Sequence, residues 1–388
     1  MLTTLAIANY RSIRELILPL KRLNVVTGAN GVGKSNLYKA LRLLADTASG
    51  SAIPTLAREG GLASTLWAGP EVISRRMKRG EVPVQGTRRK DAVNLRLGFC
   101  DDELGYSIDF GLPVPSMSAF GGDPEIKREC VFAAPAYRPG GVLVDRRNAL
   151  VKIRGEGRDD WNVLTTTLAS FDGVLSTPFD PRRAPELLTL RERVRSWRFY
   201  DHFRVDAGAP ARQSMVGTRT PVLSADGGDL AAAIQTILEI GDAEALQAAV
   251  NDAFPGSNVS TASVGGRMAL QFTQPGLLRP LEASELSDGT LRYILWVAAL
   301  LTPRPSALMV LNEPETSLHP DLLPSLARLI GVAAERSQMW VVSHASRLVA
   351  ALSEIDDCNA IVLDKPHGET ERLEIDIDER PAWTWPER

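Results

Sequence analysis

The chain has 388 residues, 44% hydrophobic and 23% charged, proportions that exclude a wholly disordered protein. Its three cysteines are widely spaced and odd in number, which excludes a disulfide framework and a CxxC metal site. The formal net charge of −3 excludes a uniformly basic nucleic-acid coat. The longest apolar run, residues 293–301, is far shorter than the roughly 20 residues of a membrane span. The N-terminus carries charges where a signal peptide needs an apolar core, so we expect a cytoplasmic protein without a membrane partner.

The nearly neutral total hides an uneven distribution of charge. Residues 60–212 carry 24 basic against 20 acidic side chains, whereas residues 354–388 carry 4 against 11. The densest basic stretch, residues 73–98, has eight Lys or Arg and two acids. If the protein binds an anionic partner, the middle of the chain is the expected place.

The first 50 residues predict strands followed by a helix. Alternating apolar residues indicate two short strands around residues 4–8 and 16–18, separated by a turn at Arg11 and Ser12. The β-branched run at residues 23–27 predicts a buried strand that ends in glycine. After Ser35 the apolar spacing becomes helical and stops near residue 49.

A glycine-rich loop joins the buried strand to this helix. Residues 28–35 read GANGVGKS and match the pattern GxxxxGK[ST], in which backbone N–H groups and the positive end of the helix meet phosphate oxygens. The lysine would neutralise β- and γ-phosphate oxygens, and Ser35 would offer its hydroxyl to Mg²⁺. We therefore predict ATP and Mg²⁺ as ligands. The predicted phosphate-binding residues are Asn30, Gly31, Val32, Gly33, Lys34, Ser35 and Asn36.

The middle of the chain has a different pattern. Residues 60–228 are rich in glycine and proline and contain short alternating strands such as 94–99 and 106–110. Two helices are predicted next, at 230–239 and 243–254, each preceded by a capping aspartate, Asp229 and Asp242. A hairpin around residues 265–266 follows.

From residue 286 onwards, helices and strands alternate. Helices are predicted at 291–301, 320–336 and 346–353, and strands at 307–311, 339–342, 359–363 and 372–377. Such alternation favours a mainly parallel sheet in an α/β fold. We predict that residues 1–59 and 280–388 form one split ATPase head, and that residues 60–279 form an inserted α+β region.

Two of these strands end in residues suited to phosphoryl transfer. The apolar strand at 307–311 is followed by Asn312 and Glu313. An acid at the first position would hold hydrated Mg²⁺, and a glutamate at the second would orient the attacking water. Asn312 can accept a hydrogen bond from a metal-bound water but adds no negative charge, so we predict slow hydrolysis. The strand at 339–342 leads to His344, although a histidine at a strand end is, on its position alone, usually structural.

Five segments together resemble ABC-type ATPases of the RecF, SMC and OLD class: NYRSI at 9–13, GANGVGKSN at 28–36, ELSDGTLR at 285–292, LNEPETSLHP at 311–320 and VVSH at 341–344. The resemblance implies a P-loop NTPase head with a mixed sheet flanked by helices. It also implies an ATP-dependent homodimer, in which Ser287 and Gly289 of one copy reach the γ-phosphate bound by the other. By the same resemblance Arg11 would contact the nucleotide and His344 the γ-phosphate. Glu313, Lys34 and His344 would be catalytic.

The length of chain between Ser35 and Leu286 limits which kind of ABC-type ATPase this protein can be. Leu286 lies 251 positions after Ser35, a longer separation than a transporter head has, and no heptad repeat suggests the coiled coil of an SMC protein. Alternating acids at Glu374, Asp376 and Asp378 are better explained as a solvated strand face than as a Toprim metal site. A compact RecF-like ATPase switch remains.

Two kinds of partner remain open. The first is DNA, in repair or genome maintenance. The second is a protein effector, such as a toxic effector in phage defence, controlled without direct DNA contact. The DNA hypothesis depends on seven basic residues in the middle of the chain: Arg75, Arg76, Lys78, Arg79, Arg88, Arg89 and Lys90.

Overall fold

The computed structural model describes residues 1–70, 74–79, 81–82, 93–114, 117–155, 157, 160–373 and 381–387. The strands are β1 (Leu2–Tyr10), β2 (Ile13–Pro19), β3 (Leu23–Gly28), β4 (Leu95–Asp101), β5 (Leu104–Gly111), β6 (Glu125–Ala133), β7 (Val142–Arg147), β8 (Leu150–Arg154), β9 (Trp161–Thr165), β10 (Arg198–Tyr200), β11 (Met215–Val216), β12 (Asn258–Val264), β13 (Arg267–Thr273), β14 (Leu281–Glu282), β15 (Leu308–Asn312), β16 (Gln338–Val342), β17 (Cys358–Asp364) and β18 (Glu371–Arg372). The helices are α1 (Lys34–Ser49), α2 (Ala52–Arg58), α3 (Leu62–Thr65), α4 (Arg75–Lys78), α5 (Pro185–Arg195), α6 (Leu230–Ile240), α7 (Ala243–Ala253), α8 (Asp288–Leu300), α9 (Leu323–Ala334) and α10 (Ser346–Ser353).

The described chain divides into two compact units. The first comprises Met1–Lys21, Gly28–Ser196 and Ile361–Arg388, and the second comprises Arg22–Thr27 and Trp197–Ala360. These bounds differ from those of the split head and inserted region inferred from sequence, and that division stays a prediction. Among the described residues, no helix combines the length and apolar character needed to cross a membrane.

The first unit contains an antiparallel sheet of eight strands in the order β2-β1-β4-β5-β6-β7-β8-β9. Successive side chains of a strand point to opposite faces, so the sheet has two chemically distinct sides. On one side Arg146 donates to Glu129 at 2.5 Å, and both side chains are fully buried. Tyr106 also donates to Glu129, at 2.7 Å, and burial raises the pKa of Tyr106 well above its ordinary value. A buried charge pair of this kind is tolerated because further hydrogen bonds satisfy its remaining polar atoms.

The second unit contains the predicted parallel sheet, with strands in the order β10-β15-β16-β3. Its central pairs join Leu311 to Val341 and Val341 to Val25. These strands are apolar along their length because helices cover the sheet, and the unit's core includes residues of α6, α7, α8 and α9. Parallel strands place their carboxyl ends at one edge, so β3, β15 and β16 all end on the same side of this sheet. From that edge the chain leaves at Thr27 and enters the glycine-rich loop.

Most predicted elements are confirmed, but several observed elements were not predicted and one predicted helix cap is wrong. Helix α5 and strand β10 were not predicted, although α5 begins with Pro185 and Glu186 and ends with two arginines, an ordinary helix pattern. The capping prediction is confirmed for Asp242, whose side chain accepts from Ala245 N at 2.8 Å. It is wrong for Asp229, whose carboxylate instead accepts from the backbone and hydroxyl of Ser224, at 3.0 and 2.6 Å. The predicted strand at 372–377 lies mostly outside the described residues.

Candidate functional site

The glycine-rich loop, residues 28–35, curves around the ammonium group of Lys34. Lys34 Nζ donates to Gly28 O at 2.6 Å and to Ala29 O at 3.1 Å, and the lysine side chain is largely buried. Gly31 has φ +82° and faces open space, so a ligand can approach its backbone closely. Helix α1 begins here without a side-chain cap and without an acidic residue in its first turn. Its N-terminal N–H groups are therefore suited to an anion, as in phosphate-binding loops.

The loop is supported from behind by Thr370, a residue that sequence reasoning missed. Thr370 Oγ1 donates to Val32 O at 2.7 Å and lies 2.7 Å from Ser12 Oγ, which also accepts from Asn36 Nδ2 at 2.8 Å. Gly33 has φ +114°, and a Cβ atom added there would lie 2.2 Å from Thr370 Oγ1. Glycine is therefore required at this position by both conformation and space.

The substitution Thr370→Val is expected to weaken ATP binding about tenfold. It keeps the side-chain shape but removes the hydrogen bonds to Val32 O and Ser12, each worth about 0.5–1.5 kcal/mol. Titration with a fluorescent ATP analogue measures the dissociation constant, and Thr370→Ser, which retains the hydroxyl, is the matched control. Equal affinity in wild type and Thr370→Val would show that this contact does not shape the loop.

The two predicted metal-binding residues belong to different units of the chain. Ser35 lies in the first turn of α1 in the first unit, with an exposed hydroxyl. Asn312 ends β15 in the second unit and is half-buried. Neither side chain forms a hydrogen bond within the described part of the chain, so both oxygens are available to a hydrated cation. No cluster of three or more His, Cys, Asp or Glu suited to a metal exists among the described residues. Mg²⁺ commonly keeps several waters and takes only one or two protein ligands, and the assignment of Ser35 and Asn312 to it stays a prediction.

Glu313 and His344 lie at adjoining strand ends of the second unit. Glu313 follows β15 with φ +49°, and its backbone N–H donates to Val342 O at 2.8 Å, while its side chain remains 47% exposed. His344 Nδ1 lies 3.7 Å from Glu313 Oε1 and 3.4 Å from Glu315 Oε1. The structure thus brings these two predicted residues together.

Glu315 organises this edge and was given no role from sequence. Its buried Oε1 accepts from Ser343 Oγ at 2.7 Å, from His344 N at 3.0 Å and from Ala345 N at 3.2 Å. A carboxylate that accepts several such bonds fixes the turn that carries His344. The sequence offered only one signal, an acid two residues after Glu313.

The segment around Ser287 forms the start of α8. Ser287 is the N-cap residue, and its exposed hydroxyl accepts from Thr290 N at 3.2 Å. The capping role and the predicted role toward a second copy are compatible, because the side chain is at the surface. Arg212, also missed from sequence, holds this segment by donating to Leu286 O and to Asp288, both at 2.7 Å.

Helix α8 also holds the loop that follows Glu313. The guanidinium of Arg292, which is 3% exposed, donates to Thr316 O at 2.8 Å and to Phe203 O at 2.7 Å. Trp296 Nε1 donates to Pro314 O at 3.0 Å. Burial lowers the pKa of Arg292, and Asp288 acts in the opposite direction. Gly289 lies against Ser317, where an added Cβ would be 3.3 Å from the carbonyl oxygen.

Arg11 forms an ion pair in the first unit. Its Nη2 lies 2.8 Å from Glu59 Oε2, which also accepts from Tyr10 Oη at 2.7 Å. Burial alone would raise the pKa of Glu59, but the bonds from Arg11 and Tyr10 lower it. The predicted contact of Arg11 with nucleotide would require an exchange of this partner, and it stays a prediction.

The predicted DNA-binding residues are only partly described. Arg75, Arg76 and Arg79 are exposed at α4, and Arg76 and Arg79 lie 3.3 and 3.8 Å from Glu81. The side chain of Lys78 and all of Arg88, Arg89 and Lys90 lie outside the described residues. The DNA interpretation of this cluster therefore stays a prediction.

A parallel sheet that delivers a GxxxxGK[ST] loop, together with the residues at its strand ends, defines a P-loop ATPase head of the ABC type. The family described as "AAA domain, putative AbiEii toxin, Type IV TA system" matches residues 23–350, and the chain belongs to that family. No curated protein matches the sequence significantly.

Solved structures support the same fold. A Smc head domain bound to the C-winged helix domain of ScpA is 12% identical, with a TM-score of 0.51 over 97% of this chain and 98% of that one. A Smc head domain with an extended coiled coil, bound to the C-terminal domain of ScpA derived from Pyrococcus furiosus, is 10% identical, with a TM-score of 0.50 over 97% of each chain. At these identities the likeness establishes the fold alone. The predicted α/β P-loop head is thereby confirmed.

Proposed function

We propose that this protein is an ATP-hydrolysing molecular switch that dimerises through its heads when ATP is bound. The observation that carries the proposal is the loop at residues 28–35, with Lys34 inside its curve and an uncapped helix N-terminus beyond it. Phosphate oxygens would take the backbone N–H groups and the ammonium. Mg²⁺, when bound, would neutralise charge on the β- and γ-phosphates, with Ser35 and Asn312 as its protein ligands.

The remaining residues would supply positioning and charge. Glu313 would orient the attacking water, since its carboxylate is exposed at a strand end and its backbone is anchored to Val342. His344 would donate to the γ-phosphate from the turn fixed by Glu315. Ser287 and Gly289, at the surface start of α8, would serve the nucleotide held by a second copy.

The direct test is ATP binding. The full chain is expected to bind a fluorescent ATP analogue in the micromolar range or tighter, and Lys34→Ala is expected to weaken binding by at least about tenfold, since a charge-assisted contact is lost. Lys39→Ala, on the same helix, is the control. Equal binding by wild type and Lys34→Ala would contradict the assignment of the loop.

Asn312 yields a separate prediction for turnover. Because an amide lacks the charge of a carboxylate, Asn312→Asp is expected to lower the Mg²⁺ concentration needed for half-maximal hydrolysis and to change turnover. Phosphate release measured across a Mg²⁺ series checks this, with Asn312→Ala as control. An unchanged Mg²⁺ dependence in Asn312→Asp would mean that residue 312 does not meet the metal.

The downstream role is proposed as DNA repair or genome maintenance. A second candidate, regulation of a protein effector, is favoured by the family description, which names a putative toxin and a toxin–antitoxin system. It is also favoured by the two Smc heads, each of which is bound to a domain of ScpA. ATPase rate and solution mass with and without DNA separate the candidates: stimulation by DNA supports the first, and its absence at low salt supports the second.

A further inference from the structure

The face of the antiparallel sheet opposite the buried Arg146–Glu129 pair carries a different set of side chains. Residues Arg128 and Cys130 alternate with Glu129 along β6, and Asp145 and Arg147 alternate with Arg146 along β7. Arg128 pairs with Arg147 across the two strands, and Cys130 pairs with Asp145. This second face, which we call the basic face, lies entirely within the first unit.

Two neighbouring cavities open on the basic face. The larger has a volume of about 400 Å³. Its walls include Arg128, Tyr137, Asp145, Arg147, Lys152 and Trp161. The smaller has a volume of about 350 Å³, and Lys127, Arg128, Arg147 and Asn148 line it. Because Arg128 and Arg147 belong to both, the cavities adjoin each other and share a cationic boundary.

The charge of this boundary is only partly neutralised. Asp145 accepts ion pairs from Arg128 Nη2 at 3.0 Å and from Arg147 Nε at 3.2 Å, and holds the two guanidinium groups side by side. Lys152, on the neighbouring strand, has no ion pair among the described residues. The four side chains therefore leave a net charge of +2 at the larger cavity.

One nitrogen of the Arg128 guanidinium group has no hydrogen-bond acceptor among the described residues. Its side chain is 6% exposed, and its buried Nη1 forms no hydrogen bond among the described residues. An unsatisfied N–H on a buried guanidinium is costly and favours an anionic oxygen from a ligand. A guanidinium group binds phosphate better than a lone lysine ammonium group does.

Two aromatic side chains, Tyr137 and Trp161, also line the larger cavity. Trp161 is half-buried, and the guanidinium of Arg154 lies 4.6 Å from the centre of its ring. Tyr137 packs edge-on against Phe132, with ring centres 5.5 Å apart, which fixes its orientation. Aromatic rings beside a cationic groove are how proteins hold unpaired bases, by stacking the base and contacting the backbone.

We propose that the two cavities of the basic face bind single-stranded nucleic acid, with a base against Trp161 and successive phosphates at Arg128, Arg147 and Lys152. Two cavities that share their cations suit consecutive nucleotides of a strand better than one free nucleotide. A duplex keeps its bases stacked on each other and cannot offer one to Trp161. The site is independent of ATP hydrolysis, so its failure would leave the proposed ATPase intact.

The test is fluorescence anisotropy of labelled single-stranded DNA and RNA oligonucleotides with the full chain, without ATP. Lys34→Ala is included as a background so that binding at residues 28–35 does not contribute. Trp161→Ala is expected to weaken binding about tenfold, and Trp161→Phe to restore most of it. The double substitution Arg147→Gln, Lys152→Gln is expected to weaken binding and to reduce the magnitude of the negative slope of log K against log salt concentration by about 1.4, since two phosphate contacts are lost. The control is Arg58→Gln, an exposed arginine on α2 that donates to Thr55.

Several outcomes would overturn the proposal. One is the absence of single-strand binding at low salt, and another is equal affinity in wild type and the double variant. Equal competition by mononucleotides would indicate a second nucleotide site, equal binding of duplex would indicate a groove for backbone alone, and displacement only by acidic peptides would indicate a protein partner. If Trp161→Ala does not fold, the double variant at the exposed Arg147 and the half-buried Lys152 still decides the question. ATP turnover of the Trp161, Arg147/Lys152 and Arg58 variants, each made without the Lys34 substitution, is expected to match wild type.

Discussion

The substitution Glu313→Gln is expected to slow ATP hydrolysis by at least about 100-fold and to trap an ATP-bound dimer. The amide keeps the size of the side chain and the backbone bond to Val342, but it cannot accept a proton from the attacking water. Loss of such a group costs about 10²- to 10⁴-fold in rate. In the proposed cycle, release of the two copies depends on hydrolysis, so the dimer is expected to persist in the variant.

Light scattering in ATP and Mg²⁺, combined with phosphate release, measures both effects. Asp321→Asn is the matched control, because Asp321 is an exposed acid that lies 3.4 Å from Arg347. It is expected to behave as wild type. A Glu313→Gln protein that stays monomeric in ATP would show that the two-copy arrangement is wrong for this chain.

The second large effect is expected at Arg292, a positioning residue. Arg292→Lys should lower the turnover number by about 10- to 100-fold while the dissociation constant for ATP changes by less than about twofold. A lysine cannot reach both Thr316 O and Phe203 O, so the loop that carries Glu313 would shift, and a displacement near 1 Å can cost about 100-fold.

The split between turnover and binding distinguishes this role from general destabilisation. The control is Arg328→Lys, an exposed arginine of α9 that pairs with Asp252 at 2.8 Å, and its turnover should be unchanged. A thermal melt of each variant reports folding. If Arg292→Lys folds and turns over ATP at the wild-type rate, α8 does not position the loop next to Glu313 for hydrolysis.

Local sequence patterns were sufficient for the elements around the candidate site. The strand before Gly28, the helix after it and the alternation beyond residue 286 have strong periodicity, because buried strands and amphipathic helices impose it. Short elements were less predictable: β10 has three residues, and its parallel pairing with Met309–Leu311 depends on a distant strand.

The supporting contacts of the site could not be read from sequence. Thr370 meets Val32 and Ser12 across more than 330 residues, and Arg212 meets Leu286 across 74. No periodicity or spacing rule links residues so far apart. The P-loop was recognised because its chemistry is contained in eight consecutive residues, whereas its support comes from tertiary packing.

We propose that this chain hydrolyses ATP as a pair of heads. Phosphate release by the full chain, measured at saturating ATP and Mg²⁺ over a range of protein concentrations, tests it most directly. The expected result is slow release whose rate per chain rises with protein concentration until the heads are paired, and which is lost in Lys34→Ala. No release at any concentration, or a rate per chain that is constant from the most dilute sample upwards while the chain stays monomeric, would contradict the account.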